Sequence, residues 1–496
     1  MIEIILNSIH HFYPEITITA TLCVIILGDL LLKKRDHTTG WILVAGLGVS
    51  GLFVLLQTGR MESVFYDMVA VDPFAVFFKV ILILASLFIV MFSIKCKELD
   101  SYHSRIGEYY MLLTGMILGM FLMAGSTNLM LMYLAFELTS ISSYVLAGFA
   151  RRSLKSAEAS MKFIIFGAVS SGILLYGISL LTGITGAVDL YGVNASLIDG
   201  MDQPMVLSAA ILMIVAGFGF KIAVVPFHFW APDVYEGAPM PIAAYLAVAS
   251  KIAGFAMLIR FFKISFMDVN AIPTFGLWGL IEGVNWTILL SVMAAMAMIV
   301  GNLAALRQDN IKRLLAYSSI AHAGYMLMGL IVMTDEGTTS ILIYIFIYLF
   351  MNLGAFYIAM LFANQLNSES IESYKGLGFR APLESIAMTI FLIALTGLPP
   401  TAGFIAKLYI FGAAVSAGWI WLVLIAGVTT VISLFYYIRV VRNMFFFKPE
   451  SNSSRMIFDG GSRIVLLFLL APTLFLGIYF TPVLEFARNS IKMFGM

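Results

Sequence analysis

Long apolar runs separated by short polar stretches repeat along the whole chain. A bilayer crossing needs about 20 predominantly apolar residues. Applied along the sequence, that length predicts fourteen spans: 13–32, 40–57, 73–94, 108–126, 127–149, 157–183, 204–227, 240–263, 284–306, 311–333, 338–363, 382–411, 418–447 and 463–486. Only Gly125, Ser126 and Thr127 separate the fourth span from the fifth, and the twelfth contains Leu398-Pro399-Pro400. The predicted fold class is an all-α polytopic membrane protein.

Composition narrows the function classes. Of the 496 residues, 61% are hydrophobic and 11% charged, against about 25% charged in an average soluble domain. With 29 basic and 28 acidic residues the formal charge is +1, which gives no electrostatic case for nucleic acid as a partner. Cys23 and Cys96 are too few for the four thiolates of an ordinary iron–sulfur or zinc site. No phosphate-binding loop, dinucleotide fingerprint, nucleophile elbow or metal motif appears, so no cofactor is expected in this chain. The N-terminal MIEIILNSIHHFYPE has no Lys or Arg ahead of the first apolar run, so the first span is expected to be retained rather than cleaved as a signal peptide.

Orientation follows from the basic residues, since positively charged loops stay cytoplasmic. Loops after odd-numbered spans hold nineteen: Lys33, Lys34, Arg35, Lys95, Lys97, Arg105, Arg151, Arg152, Lys155, Arg307, Lys312, Arg313, Lys375, Arg380, Arg439, Arg442, Lys448, Arg455 and Arg463. The other side holds Arg60, Arg260, Lys263, Arg488 and Lys492. Both termini are therefore expected on the non-cytoplasmic side. Five lysines remain inside spans: Lys79, Lys162, Lys221, Lys251 and Lys407.

The chain also carries a weak internal repeat. A shift of 181 lays Leu134–Gly148 on Leu315–Gly329, and a shift of 186 lays AGFGFK, ending at Lys221, on AGFIAK, ending at Lys407. Spans five and ten, and seven and twelve, are each five crossings apart, so the repeats are expected to be inverted in the membrane. Pro226 follows Lys221 and Pro399-Pro400 precede Lys407. Proline removes helix hydrogen bonds, which predicts discontinuous seventh and twelfth helices. The implied units are 1–107 with three helices, 108–263 with helices four to eight, 264–447 with helices nine to thirteen, and 448–496 with helix fourteen.

Inside the bilayer an ionisable group is costly and marks function by default. Glu137, ten residues into span five, is the one acid near a span centre, and it needs a cation or water. Lys221 and Lys251 lie deep in spans seven and eight, where desolvation favours the neutral amine and a lysine becomes able to relay protons. Lys407 is assigned the same role through the repeat. Lys162 lies near the cytoplasmic end of span six and reads equally as a relay or as a snorkelling side chain. Lys79 reads as snorkelling. His322, flanked by Ser318, Ser319 and Tyr325, is either a relay between lysines or a hydrogen-bonded core histidine. His228 either caps a helix break or receives protons there. Gly167–Gly183 sets small residues at three- to four-residue spacing, which suits close helix packing.

These residues stand in stretches that resemble the antiporter-like membrane subunits of respiratory complex I. The stretches are FELTSISSYVLAGF around Glu137, AEASMKFIIFGAVSSG around Lys162, FGFKIAVVPFHFWAPDVYEGAPMPIAAYLAVASKIAGF around Lys221 and Lys251, GNLAALRQDNIKRLLAYSSIAHAGYMLMGL around His322, and GLPPTAGFIAKLYIF around Lys407. YEGAPMPIAAYLA looks like the subunit N branch rather than the L or M branches or the related Mrp antiporter subunits. The resemblance implies fourteen helices with inverted five-helix repeats and a polar axis at mid-membrane. It implies that Glu137 pairs with Lys221, that Lys162 tunes that pair, that Lys251 and His322 link the two halves, and that Lys407 ends the path. Ser318 stands where the repeat places Glu137, so the second half lacks its own acid.

The function implied is proton translocation in the membrane arm of an NADH-quinone oxidoreductase of a bacterial inner membrane, driven by quinone reduction elsewhere. NADH, FMN, Fe-S clusters and quinone belong, on that expectation, to partner subunits, among them further antiporter-like subunits. Two other readings stay open: a subunit of a multisubunit Na⁺/H⁺ antiporter, and a non-conducting spacer of the membrane arm. The topology is testable directly. A protease or a thiol label introduced in the Lys95–Arg105 or Arg439–Arg463 loop should react only from the cytoplasmic side, and cytoplasmic labelling of either terminus would break the count of fourteen.

Overall fold

The computed structural model describes residues 6, 8–31, 37–200, 203–268, 279, 285–449 and 454–495. Lys33, Lys34 and Arg35, counted above on the cytoplasmic side, lie outside the described residues. Among the described residues, thirteen helices have the length and apolar composition to cross a bilayer. The first six are α1 (Tyr13–Leu31), α2 (Thr38–Leu56), α3 (Pro73–Lys95), α4 (Ile106–Gly125), α5 (Leu129–Ala147) and α6 (Leu154–Thr185). The next five are α7 (Pro204–Ile222), α8 (Met240–Phe266), α9 (Trp286–Ala305), α10 (Ile311–Ile331) and α11 (Asp335–Leu366). Between α11 and the last two, α13 (Ile420–Phe446) and α14 (Gly460–Ile478), stand two shorter apolar helices, α12a (Pro382–Thr396) and α12b (Ala402–Ser416). Together they occupy the twelfth predicted span. Helices α8, α10 and α11 are almost wholly enclosed, whereas α1, α2, α13 and α14 leave most of their surface open. The only strands among the described residues are Glu62–Val64 and Val69–Val71, an antiparallel pair outside the spans.

The duplication shows in the caps more clearly than in the sequence. Asn128 and Asn310, 182 positions apart, each stand before a helix and accept two backbone N–H groups, at Met130 and Leu131 in one case and at Lys312 and Arg313 in the other. Both asparagines also form isolated strand bridges, to Asp189 and to Ser370. Helices α6 and α11 are both 32 residues long, start behind a Ser153 or Thr334 hydroxyl cap, and end at left-handed Gly186 or Asn367. A side-chain oxygen at an N-cap satisfies backbone donors that the helix itself leaves free, so the same ends are set by the same means in both halves. With Asn128 aligned on Asn310, Glu137 falls on Ser319 rather than on Ser318.

Both predicted breaks are present. α7 stops at Ala223 (φ 53°) and helix resumes over Trp230–Gly237, while α12a stops at Gly397 (φ 86°) and α12b begins at Ala402. Aligning the two left-handed residues puts the breaks 174 positions apart. Lys221 then precedes its break by two residues and Lys407 follows its break by ten, so the AGF match at a shift of 186 pairs the lysines but not the geometry around them.

Two buried ion pairs correct the sequence reading. Lys79 does not snorkel: its Nζ lies 2.6 Å from Glu15 Oε1, and both side chains are enclosed. Glu15 thereby joins Glu137 as an acid within a span. Arg260 and Lys263, counted above as loop residues, lie in α8 and are buried. The Arg260 guanidinium grips Asp72 through both nitrogens, at 2.7 and 2.9 Å, and also donates to the Ala124 carbonyl. Asp72 in turn caps α3 at Ala75 N and accepts from Phe494 N. The Asp72–Arg260 pair thus ties α3, α4, α8 and the C-terminal segment together.

Breaking such a pair from one side leaves an uncompensated charge, at a cost of about 3–5 kcal/mol. Arg260→Ala should therefore lower the thermal stability of the assembled protein strongly. The double change Asp72→Leu with Arg260→Leu should be milder than either single change, as read from the midpoint of a detergent melting curve.

Candidate functional site

The six residues singled out in the sequence divide into a connected internal set and one at the surface. Lys221, at the end of α7, is 4% exposed, donates to Ser140 Oγ at 3.0 Å, and lies 5.0 Å from the centre of the Phe136 ring. Glu137 is half-buried on α5 and accepts a hydrogen bond from Ser171 Oγ, whose oxygen also lies 3.1 Å from Tyr133 Oη. Glu137 is within electrostatic reach of Lys221. Among the described residues, however, the two make no ion pair within 4.0 Å: the serines at 140 and 171 hold them separately.

Lys221 approaches α8 at Gly254. A Cβ at that glycine would come within 3.3 Å of Lys221 Cγ and 2.7 Å of Ile222, so the missing side chain is what lets the two helices close. One turn away on α8 is Lys251, which directly succeeds a π-turn over Leu246–Ser250. Such turns insert a residue into the helix and re-aim the side chains beyond it. The Lys251 Nζ donates to the Ser319 carbonyl at 2.7 Å and to Ser319 Oγ at 2.9 Å. Three residues further along α10, His322 Nδ1 lies 2.7 Å from Tyr344 Oη, and the imidazole packs against Tyr348 and Tyr325 with ring centres 5.2 and 5.8 Å away.

Tyr325 leads to Lys407. The ammonium lies 4.5 Å from the centre of the Tyr325 ring and donates to Thr396 O at 2.8 Å and Thr430 Oγ1 at 3.0 Å. Thr396 ends α12a, so its carbonyl has lost its helical partner to the break and Lys407 supplies the replacement. At the other break the Phe220 carbonyl keeps a backbone donor, Ala223 N–H, and the Trp230 indole N–H adds a second at 3.1 Å. Gly397 is required twice over: its φ is positive, and a Cβ there would meet Lys407 Cδ at 2.7 Å. Beyond Tyr325 the network continues through Asn302 to Tyr436.

Lys162 stands apart from this set. It is 37% exposed and is held by Glu158 at 2.7 Å and Asp233 at 2.5 Å, and Asp233 is held in turn by Arg313 at 2.6 Å. It meets the segment beyond the seventh-helix break, not Lys221 itself. His228 is buried within that break, and its Nδ1 has no hydrogen-bond partner among the described residues.

Sequence reading missed the groups around these side chains: Ser140, Ser171, Tyr344, Tyr348, Asn302, Thr430 and Asp233. All but Asp233 are hydroxyls and amides inside apolar spans, and nothing in one sequence says which of these face inward. Among the described residues no group of three or more His, Cys, Asp or Glu side chains is arranged to hold a metal. What the arrangement offers is a row of amines and an imidazole bridged by hydroxyls, a medium for moving protons.

The family described as NADH:quinone oxidoreductase/Mrp antiporter, TM, matches residues 126–433. NADH-quinone oxidoreductase subunit N 2 of Chloroherpeton thalassium is 44% identical over 98% of this chain and 94% of its own length. Subunit N of Chlorobium chlorochromatii is 42% identical over 99% and 96%. Among solved structures, a chain of respiratory complex I from Thermus thermophilus superposes with a TM-score of 0.78 at 30% identity, covering 96% of this chain and 99% of that one. A chain of an archaeal membrane-bound sulfane sulfur reductase gives 0.84 at 25% identity, covering 97% of both. A chain of the Mrp complex from a Dietzia species, 18% identical with a TM-score of 0.79, shares the fold. With relatives this similar over nearly its whole length, and with the broken helices and buried lysines of the fold in place, the chain belongs to the NADH-quinone oxidoreductase subunit N family.

Proposed function

We propose that protons cross the membrane within this chain along Glu137, Lys221, Lys251, His322 and Lys407, with Lys162 acting on the first pair through Asp233 and the segment beyond the break. As a member of the subunit N family the chain is an antiporter-like membrane subunit of an NADH-quinone oxidoreductase complex. The observation that carries the reading is the contrast between two kinds of buried cation. Lys79 and Arg260 each face a carboxylate. Lys221, Lys251 and Lys407 face hydroxyls and carbonyls instead, and among the described residues none of the three has a carboxylate within 4.0 Å. A carboxylate holds its cation in the charged form strongly, whereas a neutral acceptor favours the ammonium less and still accepts from the amine, and so permits the proton to leave.

The driving step is electrostatic. Were Glu137 and Lys221 to close to about 4 Å at an effective dielectric near 20, they would gain about 4 kcal/mol, equivalent to roughly three pKa units. Closing loads a proton onto Lys221 and opening releases it towards Lys251. Glu137 is half-exposed between Leu134 and Ile141, which lie on the outside of α5. A carboxylate does not face lipid, so a neighbouring membrane-arm subunit covers it. Quinone reduction, and with it NADH, FMN and the Fe-S clusters, falls to partner subunits. The chain divides at 107, 263 and 447, in a bacterial inner membrane, with both termini on the non-cytoplasmic side. Identities of 42–44% to subunit N against 18% to the Mrp chain favour this reading over a Na⁺/H⁺ antiporter subunit.

Two experiments test the path. Lys221→Ala and Glu137→Ala should each impair proton transfer in the purified complex, and the double change should cost less than their sum, because the groups act as one unit. Strict additivity would separate them. At Lys407, arginine keeps the charge but does not release a proton near neutral pH, whereas methionine removes both. Both variants should assemble and both should lose pumping in proteoliposomes driven by quinone reduction. Full pumping with arginine would reduce Lys407 to an anchor of the helix break, and normal pumping by every variant would leave the chain a spacer.

A further inference from the structure

Beyond the seventh-helix break, the short helix Trp230–Gly237 is held by charge from two sides. Asp233 and Glu236 stand three residues apart on it and so share a face. On one side α6 brings Lys162 to Asp233 at 2.5 Å and Lys155 to Glu236 at 2.7 Å. On the other, Arg313 in the first turn of α10 reaches both acids from one nitrogen, Nη1, at 2.6 and 2.9 Å. Its neighbour Lys312 is anchored by Glu369 at 2.7 Å and donates to the Ala238 carbonyl, just past the end of the short helix, at 3.0 Å. The same helix lies close against α6: Trp230 stacks on Phe163 with ring centres 4.3 Å apart, and a Cβ at Gly237 would meet Ala159 Cβ at 2.7 Å. An isolated exposed ion pair contributes little, but here each acid is shared by two cations, and such a network fixes geometry.

The fold of α10 does not itself call for these cations. A helix N-terminus favours negative charge, yet α10 opens with two successive basic residues and no acid in its first turn. The first half starts α5 with the same asparagine cap, but the residues aligned with Lys312 and Arg313 are Met130 and Leu131. The cap therefore does not require a cation at either place. What accounts for Arg313 is its pair of partners, 80 and 77 positions away in the chain.

Asp233 is where the two sides meet. Its Oδ2 takes Lys162 and its Oδ1 takes Arg313. The guanidinium is steadied from behind, since its Nε donates to Gln308 Oε1 at 3.1 Å and the Gln308 carbonyl accepts from Arg439 on α13. We propose that Arg313 is a positioning residue for proton transfer: it holds the Asp233 carboxylate in the orientation that Lys162 meets, and so ties the helix beyond the first break to the second half of the chain. This rests on Lys162 acting through Asp233. Among the described residues Arg313 bonds to none of the proposed carriers, so its effect is carried by geometry. Because α10 also bears Ser319, which holds Lys251, one helix acts on both Lys251 and the segment next to Lys221.

The test measures protons pumped per quinone reduced by the whole complex in proteoliposomes. Arg313 is 28% exposed and each acid keeps a lysine partner without it, so Arg313→Gln should assemble with normal subunit composition and still reduce quinone. Its pumping ratio should fall as far as that of Asp233→Asn. The two changes together should lower the ratio no further than Asp233→Asn alone, because Arg313 acts through that carboxylate. Arg313→Lys should restore most of the ratio, since both contacts come from one nitrogen and an ammonium offers three donors. Glu236→Gln removes the other contact of Arg313 and should leave the ratio unchanged, whatever it does to the melting midpoint. A normal ratio in Arg313→Gln, a further fall in the double variant, or an equal fall in Glu236→Gln overturns the proposal. If Asp233→Asn itself keeps a normal ratio, the reading of Lys162 has failed and the proposal falls with it; if Asp233→Asn is impaired while Arg313→Gln is not, Arg313 alone is excluded.

Discussion

Inside a bilayer there is no water to share the charge of a cation, so the protein must hold it, and the chemistry of the holder decides what the cation can do. Arg260 and Lys79 are held by carboxylates that are themselves enclosed, and such a pair loses a proton from neither side without stranding the other charge. Lys221, Lys251 and Lys407 are held by serine and threonine hydroxyls and by backbone carbonyls. The difference between the two kinds of buried cation thus lies in their partners, not in depth or burial, which the two kinds share.

The helix breaks arise from the same constraint. A break at membrane depth exposes carbonyls that lipid cannot satisfy, so each needs a donor from the protein. At the twelfth helix that donor to the Thr396 carbonyl is the Lys407 ammonium, and at the seventh the Phe220 carbonyl is met by the Ala223 N–H and the Trp230 indole together. The two halves therefore share an architecture of caps and lengths while differing in chemistry at the equivalent point. The difference agrees with Ser319 standing in the second half where the first has Glu137.

Much of this was legible in the sequence because the bilayer makes length and polarity so informative. Fourteen crossings, both breaks and the deep lysines came from counting apolar residues and noting prolines. What stayed hidden depended on partners distant in the chain. Arg260 reads as a loop residue because it stands only three residues before the predicted end of the eighth span, where a cation looks solvated, and because Asp72, 188 positions away, gives no local sign of reaching it. Lys79 reads as snorkelling because Glu15 sits at the edge of the first span, where an acid looks solvated. The repeat register is misleading at Lys407 because four identical letters in six pair the two lysines, whereas the left-handed residues Ala223 and Gly397 set the breaks themselves at a different spacing.

The bond from Lys407 to the Thr396 carbonyl joins two things usually kept separate. A charged donor makes a hydrogen bond roughly twice as strong as a neutral one. A charged Lys407 clasps the end of α12a firmly, whereas a neutral amine at the same place would hold it more loosely. The charge on one side chain thereby sets the stiffness of a backbone joint, and the twelfth helix is stiffened or slackened from a single point.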